Sequence, residues 1–280
     1  MNYDKIIANV NAVLNEIKSS IQKREFEKAK VFLEKLIEET EANPLYPEDS
    51  EKKYFSFDNI VEFLLYVQKF NDKKDVEWVQ YPYSEIYYLY GSLLIELGNM
   101  KEANKVLEKA IRWNPMSPGI YFEYGETWKK LGDMEKFLEV TKQTFKLAYT
   151  RKHLARAYRN LGYYYIEQQD YVVANGCYIW SLQYERDSES ATSELYYIYQ
   201  MVGGQINPGT MMKELHRVSE EEGFPLEVDK ETLGIILSYA QRFLEEEKVG
   251  TAKELFGIAY ELTQDKCFEE ILNDLKKVEA

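Results

Sequence analysis

A chain of 280 residues in which 45% of the side chains are apolar and 30% charged has enough apolar surface for a sizeable buried core, which excludes a disordered chain. Its 48 acids outnumber its 35 bases, leaving a formal charge of −13, so its field repels phosphate backbones and anionic lipid and argues against nucleic acid or a membrane surface as partner. No run reaches the ~18 uninterrupted apolar residues of a membrane-spanning helix.

In chain order, residues 5–43 predict a helix pair. Ile6, Val10, Val13, Leu14 and Ile17 recur at three and four, and Phe26, Ala29, Leu33, Leu36 and Ile37 form a second stripe that stops before Asn43-Pro44. Residues 44–83 break this rhythm. Pro44, Pro47 and the cluster Glu48-Asp49-Ser50-Glu51-Lys52-Lys53 read as a loop. A helix capped near Asp58 and buried along Ile60, Phe63, Leu64 and Val67 is expected next, then an extended piece over residues 76–83. The segment is read as an insertion, with a decayed repeat as the alternative.

From Ser84 the pattern sharpens. Tyr87, Tyr90, Gly91 and Leu94 form one helical stripe closed by Gly98; Ala103, Leu107 and Ala110 form a second, closed by Pro115. This order of aromatic, large, glycine and large residues, then alanine, large and alanine, then proline, resembles a tetratricopeptide repeat of the kind found in bacterial scaffolds. The resemblance implies an all-α fold, an α-α superhelix or solenoid of antiparallel helix pairs, whose concave face holds a protein or peptide and performs no reaction.

The glycine recurs at Gly125, 34 residues on, which is the period of that family. Ser117-Pro118 is expected to supply an N-cap and a first-turn proline, followed by Tyr121, Tyr124, Gly125 and Trp128, with Gly132 closing the helix. Its second helix carries Phe137, Thr141 and Thr144 where small, large and small residues are usual. Gly162 follows after 37 residues, which predicts a longer connection near residues 146–155; Tyr158, Leu161, Tyr165, Ala174, Tyr178 and Ser181 complete that pair. In the next unit Thr192, Leu195, Tyr196 and Tyr199 form the stripe, with Tyr196 in the place of the small residue, and Met211, Met212, Leu215 and Val218 supply the second helix. A linker at 223–228 leads to a last pair, N-capped by Asp229, with Ile236, Tyr239, Ala240, Phe243, Ala252, Phe256 and Ala259. Residues 266–280, with Phe268, Ile271, Leu272, Leu275 and Val278 on one face, read as a capping helix. The expected organisation is thus a single solenoid over 1–280 with helix-pair repeats over 84–265.

Side chains one step round from each first-helix stripe are candidates for the concave, ligand-binding face: Tyr88, Phe122, Glu126, Lys129, Arg156, Arg159, Tyr163 and Tyr197. The rings Tyr88, Phe122, Tyr163 and Tyr197 form an aromatic row that fits either a peptide groove or the gaps between helices. Lys146, Arg151, Lys152, His153, Arg156 and Arg159 make a basic cluster in an acidic chain, suited to an acidic peptide or phosphate, or to a solvated face paired with nearby acids. No GxGxxG, GxxxxGK[ST], HExxH or GxSxG occurs, and His153 and His216 stand alone, so no catalysis, cofactor or metal is expected. Cys177 and Cys267 form no CxxC; they read as reduced thiols, or as one distant disulfide. The opening MNYDKIIANVNAVLNEIKSS has no signal-peptide character, and a cytoplasmic protein is expected. Rival readings are a self-assembling homo-oligomeric subunit, a sensor of signalling peptides and, last, an enzyme.

Overall fold

Helical periodicity settles most of the secondary structure. The computed structural model describes residues 3–47, 49–70 and 72–278, Val278 by its backbone alone; Glu48 of the charged cluster, the Val278 side chain and residues 279–280 of the expected cap lie outside the described residues. Among the described residues there are fourteen helices and two short strands. The chain divides into two units, Met1–Asp133 and Met134–Ala280. The division falls after Gly132, in the turn joining the two helices of the second glycine-marked repeat.

In the first unit, α1 (Tyr3–Gln22) and α2 (Phe26–Ala42) form an antiparallel pair. Val10, Leu14, Ile17, Ala29, Leu33 and Leu36 are buried between them and the helix that opens at Tyr83. Each buried Leu or Ile contributes roughly 1.5–3 kcal/mol through removal from water, which far exceeds any intrinsic helix preference. The turn between them places Arg24 in the left-handed region at φ 59°.

Residues 44–83 form a strand–helix–strand module. Strands β1 (Lys52–Phe55) and β2 (Asp75–Trp78) pair in parallel, Lys52 opposite Asp75 and Phe55 opposite Trp78, with α3 (Ile60–Lys69) as the crossover. The expected loop over the charged cluster is therefore partly a strand. Its lysines are not loop decoration: Lys52 pairs with Glu77 on the neighbouring strand and Lys53 with Asp72. The cap of α3, expected near Asp58, is the next residue, Asn59, whose side chain accepts from the N–H groups of Val61 and Glu62 at 3.0 and 3.2 Å. The buried face also differs from the expected one. Val61, Leu65 and Tyr66 join Leu64 in the interior, whereas Val67 is exposed. The reason is tertiary, because Phe55, Phe57, Phe63, Tyr66 and Trp78 build a local aromatic cluster with ring centroids 4.4–6.3 Å apart.

The module is stitched to the next hairpin, α4 (Tyr83–Glu96) and α5 (Met100–Trp113), by polar contacts that the sequence alone does not reveal. Ser84 Oγ donates to the Ser56 carbonyl at 2.6 Å, and the Ser56 N–H to the Trp113 carbonyl at 2.8 Å. Fully buried Glu62 accepts on one oxygen, Oε2, from Asn114 Nδ2 at 2.7 Å and from the Asp58 N–H at 2.9 Å, so that buried oxygen is hydrogen-bonded twice. Tyr83 stacks on Trp113 at 3.8 Å. Gly98, at φ +81°, turns the chain between α4 and α5, a conformation that glycine adopts without penalty. Helix α6 (Pro118–Leu131) packs on both α4 and α5. Its Pro118 occupies the first turn as expected, but the Ser117 hydroxyl makes no cap bond; it donates to the Asp58 carboxylate at 3.1 Å instead.

The second unit opens with α7 (Met134–Leu147), whose atypical Phe137, Thr141 and Thr144 are all buried. Helix α8 (Arg151–Glu167) is N-capped by Thr150, which accepts from the His153 N–H at 3.2 Å. The three residues that lengthen this repeat are therefore not a longer loop: α8 has 17 residues where α4 to α7 have 14. Helix α9 (Tyr171–Tyr184) closes the pair, and α10 (Glu189–Val202) and α11 (Pro208–Glu222) both pack on α9. Helices α12 (Lys230–Glu245) and α13 (Val249–Thr263) form the last hairpin, with Asp229 as the expected N-cap, and α14 (Lys266–Val278) lies on α13. Tyr158 Oη and Trp180 Nε1 donate to the carbonyls of Pro225 and Leu226, at 2.9 and 2.8 Å, and so anchor the linker. Both cysteines are free thiols, Cys177 buried and Cys267 exposed, which removes the disulfide alternative. Among the described residues, no helix is long and apolar enough to cross a membrane.

Candidate functional site

Two hairpins share one packing device. In α4 a Cβ added to Gly91 would lie 2.5 Å from Leu107 Cγ on α5; in α8 a Cβ on Gly162 would lie 2.6 Å from Tyr178 Cε2 on α9. Each bulky residue stands sixteen positions beyond its glycine, so the two helices meet where one has no side chain. This close approach commits the apolar stripe to the hairpin and leaves neighbouring positions on the first helix to face elsewhere.

The candidate residues fall into both units. In the first, Tyr88 is half-buried against the cluster of Tyr87, Leu107, Ala110 and Ile120. Phe122 is only 3% exposed, so its ring is occupied in packing and is not offered along a face. Glu126 and Lys129, one turn apart on α6, pair with each other at 3.1 Å, and Lys130 approaches the same carboxylate at 3.8 Å.

In the second unit the structure separates the basic cluster into distinct jobs. Arg151 donates to the carbonyls of Gln183 and Tyr184 at the end of α9, and its guanidinium stacks over the Tyr184 ring at 5.2 Å. Arg159 is paired with Glu185 at 2.5 Å. Neither role needs a ligand. Arg156 is half-buried beside His153. Tyr163 is half-buried, edge-on to Phe137 with centroids 6.0 Å apart. Tyr197, on α10, is exposed. Burial, with the Arg156 charge added to it, pushes the His153 imidazole down to about 4.

That shift has a definite sign. The His153 imidazole is neutral when folded at pH 7, whereas in the unfolded chain it gains a proton below about 6.5. Stability is thus fully present above pH 6.5 and falls as the pH drops toward 4, by roughly 2–3 kcal/mol over that window. His153→Phe keeps a ring beside Tyr149 and cannot titrate. The expected result is a shallower pH dependence of urea unfolding in the variant; identical slopes between pH 6.5 and 4 would rule out a buried neutral histidine.

Antiparallel hairpins closed by a glycine under a bulky residue define a helical-hairpin repeat protein. Residues 84–115, the α4–α5 hairpin, match the tetratricopeptide repeat family and are such a repeat. No curated protein matches the chain. Among solved structures it is similar to PilF of Pseudomonas aeruginosa, at 14% identity over 94% of this chain and 96% of that one, with a TM-score of 0.49. It is also similar to a thermophilic tetratricopeptide protein of Thermus thermophilus, at 16% identity over 69% of this chain and 98% of that one, with a TM-score of 0.35. A third likeness is to the tetratricopeptide domain of P58(IPK), at 15% identity over 96% of this chain and 65% of that one, with a TM-score of 0.32.

Proposed function

We propose that the protein is a non-catalytic scaffold that holds a protein or peptide partner, with α8 as a principal recognition helix. Arg156 meets an acidic group on the partner, Tyr163 supplies contact area, and the ion-paired Arg159 fixes the surrounding charge. The supporting observation is the division of labour in the α8–α9 hairpin. Leu154, Ala157, Tyr158, Leu161, Gly162 and Tyr165 are buried, while Arg156 and Tyr163 on the same helix keep part of their surface in solvent. A tetratricopeptide repeat at residues 84–115 accords with this role, since such repeats present their outward residues to other proteins.

Affinity capture from the native cell tests the reading, with bound proteins identified and quantified for the parent chain and for Arg156→Glu/Tyr163→Ala. The double variant is expected to lose at least about tenfold of its partner, the size of a two-residue hot spot. Recovery of the same partners in the same yield would remove α8 from recognition.

A further inference from the structure

Helix α10 breaks the rule that closes α4 on α5 and α8 on α9. Gly162 admits no side chain because Tyr178 lies over it; the corresponding place on α10, 34 residues on, is Tyr196. A phenol there cannot pass beneath a closely packed helix. Helix α11 packs on α9 instead, where Gly176 leaves room: a Cβ at that position would stand 3.2 Å from Leu215 and 3.4 Å from Met211. The fully buried side chains of α10 are Ala191 and Ile198. The face that would close on a partner helix is open, with Tyr196 64% and Tyr199 50% exposed. Of the ten large apolar side chains exposed among the described residues, five belong to this one helix.

The charge that the α10 segment itself carries has one sign. Between Arg186 and Lys213 the chain carries Asp187, Glu189 and Glu194 and no basic residue. Glu189, Thr192, Tyr196 and Tyr199 recur at three, four and three, so the exposed Glu189 lies on the same helical stripe as the two open rings. A second copy of this face would add three further acids and no base to the contact, and an anionic membrane is repelled in the same way. A helix with apolar residues at three and four and with Lys or Arg beside them matches both features, since cations favour the carboxylate and the π-faces of the phenols alike.

We propose that α10 receives a basic amphipathic helix from a partner protein, seated on Tyr196 and Tyr199 in the place that α11 leaves unfilled, with Glu189 drawing its Lys or Arg side chains. This surface is independent of the α8 face, and either can fail without the other. The probe is a displayed library of random peptides, selected on the intact chain and in parallel on Tyr196→Ser/Tyr199→Ser. Both substitutions are at exposed positions, and the variant is expected to melt with the parent. Peptides retained by the parent alone should carry apolar residues at helical spacing and an excess of Lys and Arg. The best of them, made synthetically, should bind the double variant at least about tenfold more weakly and Glu189→Gln about threefold more weakly. Added salt should weaken it, and Arg156→Glu/Tyr163→Ala should bind it as the parent does. Retained peptides that are neutral or acidic, an identical pool on parent and variant, or no retention above background would each overturn the proposal. So would self-association of the parent in sedimentation that Tyr196→Ser/Tyr199→Ser abolishes, which would assign the face to a second copy.

Discussion

Gly162→Ala is expected to destabilise the protein, although alanine is the better helix former by about 1 kcal/mol. The new methyl carbon would stand 2.6–2.8 Å from three ring carbons of Tyr178, which is itself 3% exposed and has no free direction in which to swing. Forcing α8 and α9 apart costs about 1–3 kcal/mol in a well-packed interface, and the contact at 2.6 Å puts this site at the upper end, leaving a net loss of about 1–2 kcal/mol after the helix gain. Denaturant melts check the size, and a double-mutant cycle checks the cause. In a Tyr178→Ala background the obstruction is gone, so Gly162→Ala should there cost nothing or stabilise slightly. A penalty that persists in that background would mean that the glycine serves some purpose other than the close approach.

Phe137→Ala is expected to cost more, about 3–5 kcal/mol, because the ring is 1% exposed and its removal leaves a cavity among residues that relax only in part. The site is informative because Phe137 stands edge-on to Tyr163, so the substitution removes one wall against which that ring is set. A second effect should follow in partner capture: Phe137→Ala weakens it through Tyr163 even at temperatures where the protein is fully folded. A loss below about 1 kcal/mol in urea melts would show that the pocket collapses around the missing ring, and that α7 is packed less tightly than its burial indicates.

The helices were legible because their evidence is local. Stripes at three and four, Asp229 at a helix start and Gly98 and Gly132 at helix ends place the elements within a residue or two, and Gly91 and Gly162 mark where hairpins close. The candidate site was legible as positions and not as states. The identity of Arg159 says nothing of the Glu185 carboxylate twenty-six residues away that pairs with it. Nothing in the order of residues distinguishes the packed ring of Phe122 from the open one of Tyr197. The strand at Lys52–Phe55 was hidden for a similar reason: two of its four residues are lysines, and its pairing partner lies beyond an entire helix.

Sequence by itself determined the all-helical class, the hairpin period and the repeat at residues 84–115, since a helix announces which face it will bury through contacts only three and four residues apart. Tertiary structure alone decided which hairpin closes. Tyr196 stands in a small residue's place in the same register as Gly162, yet only the arrangement of α9, α10 and α11 shows that α11 packs at Gly176 and that the α10 rings stay in water. A side chain too large for its place can be absorbed by moving either neighbour, and which of them moves depends on contacts distant in the chain.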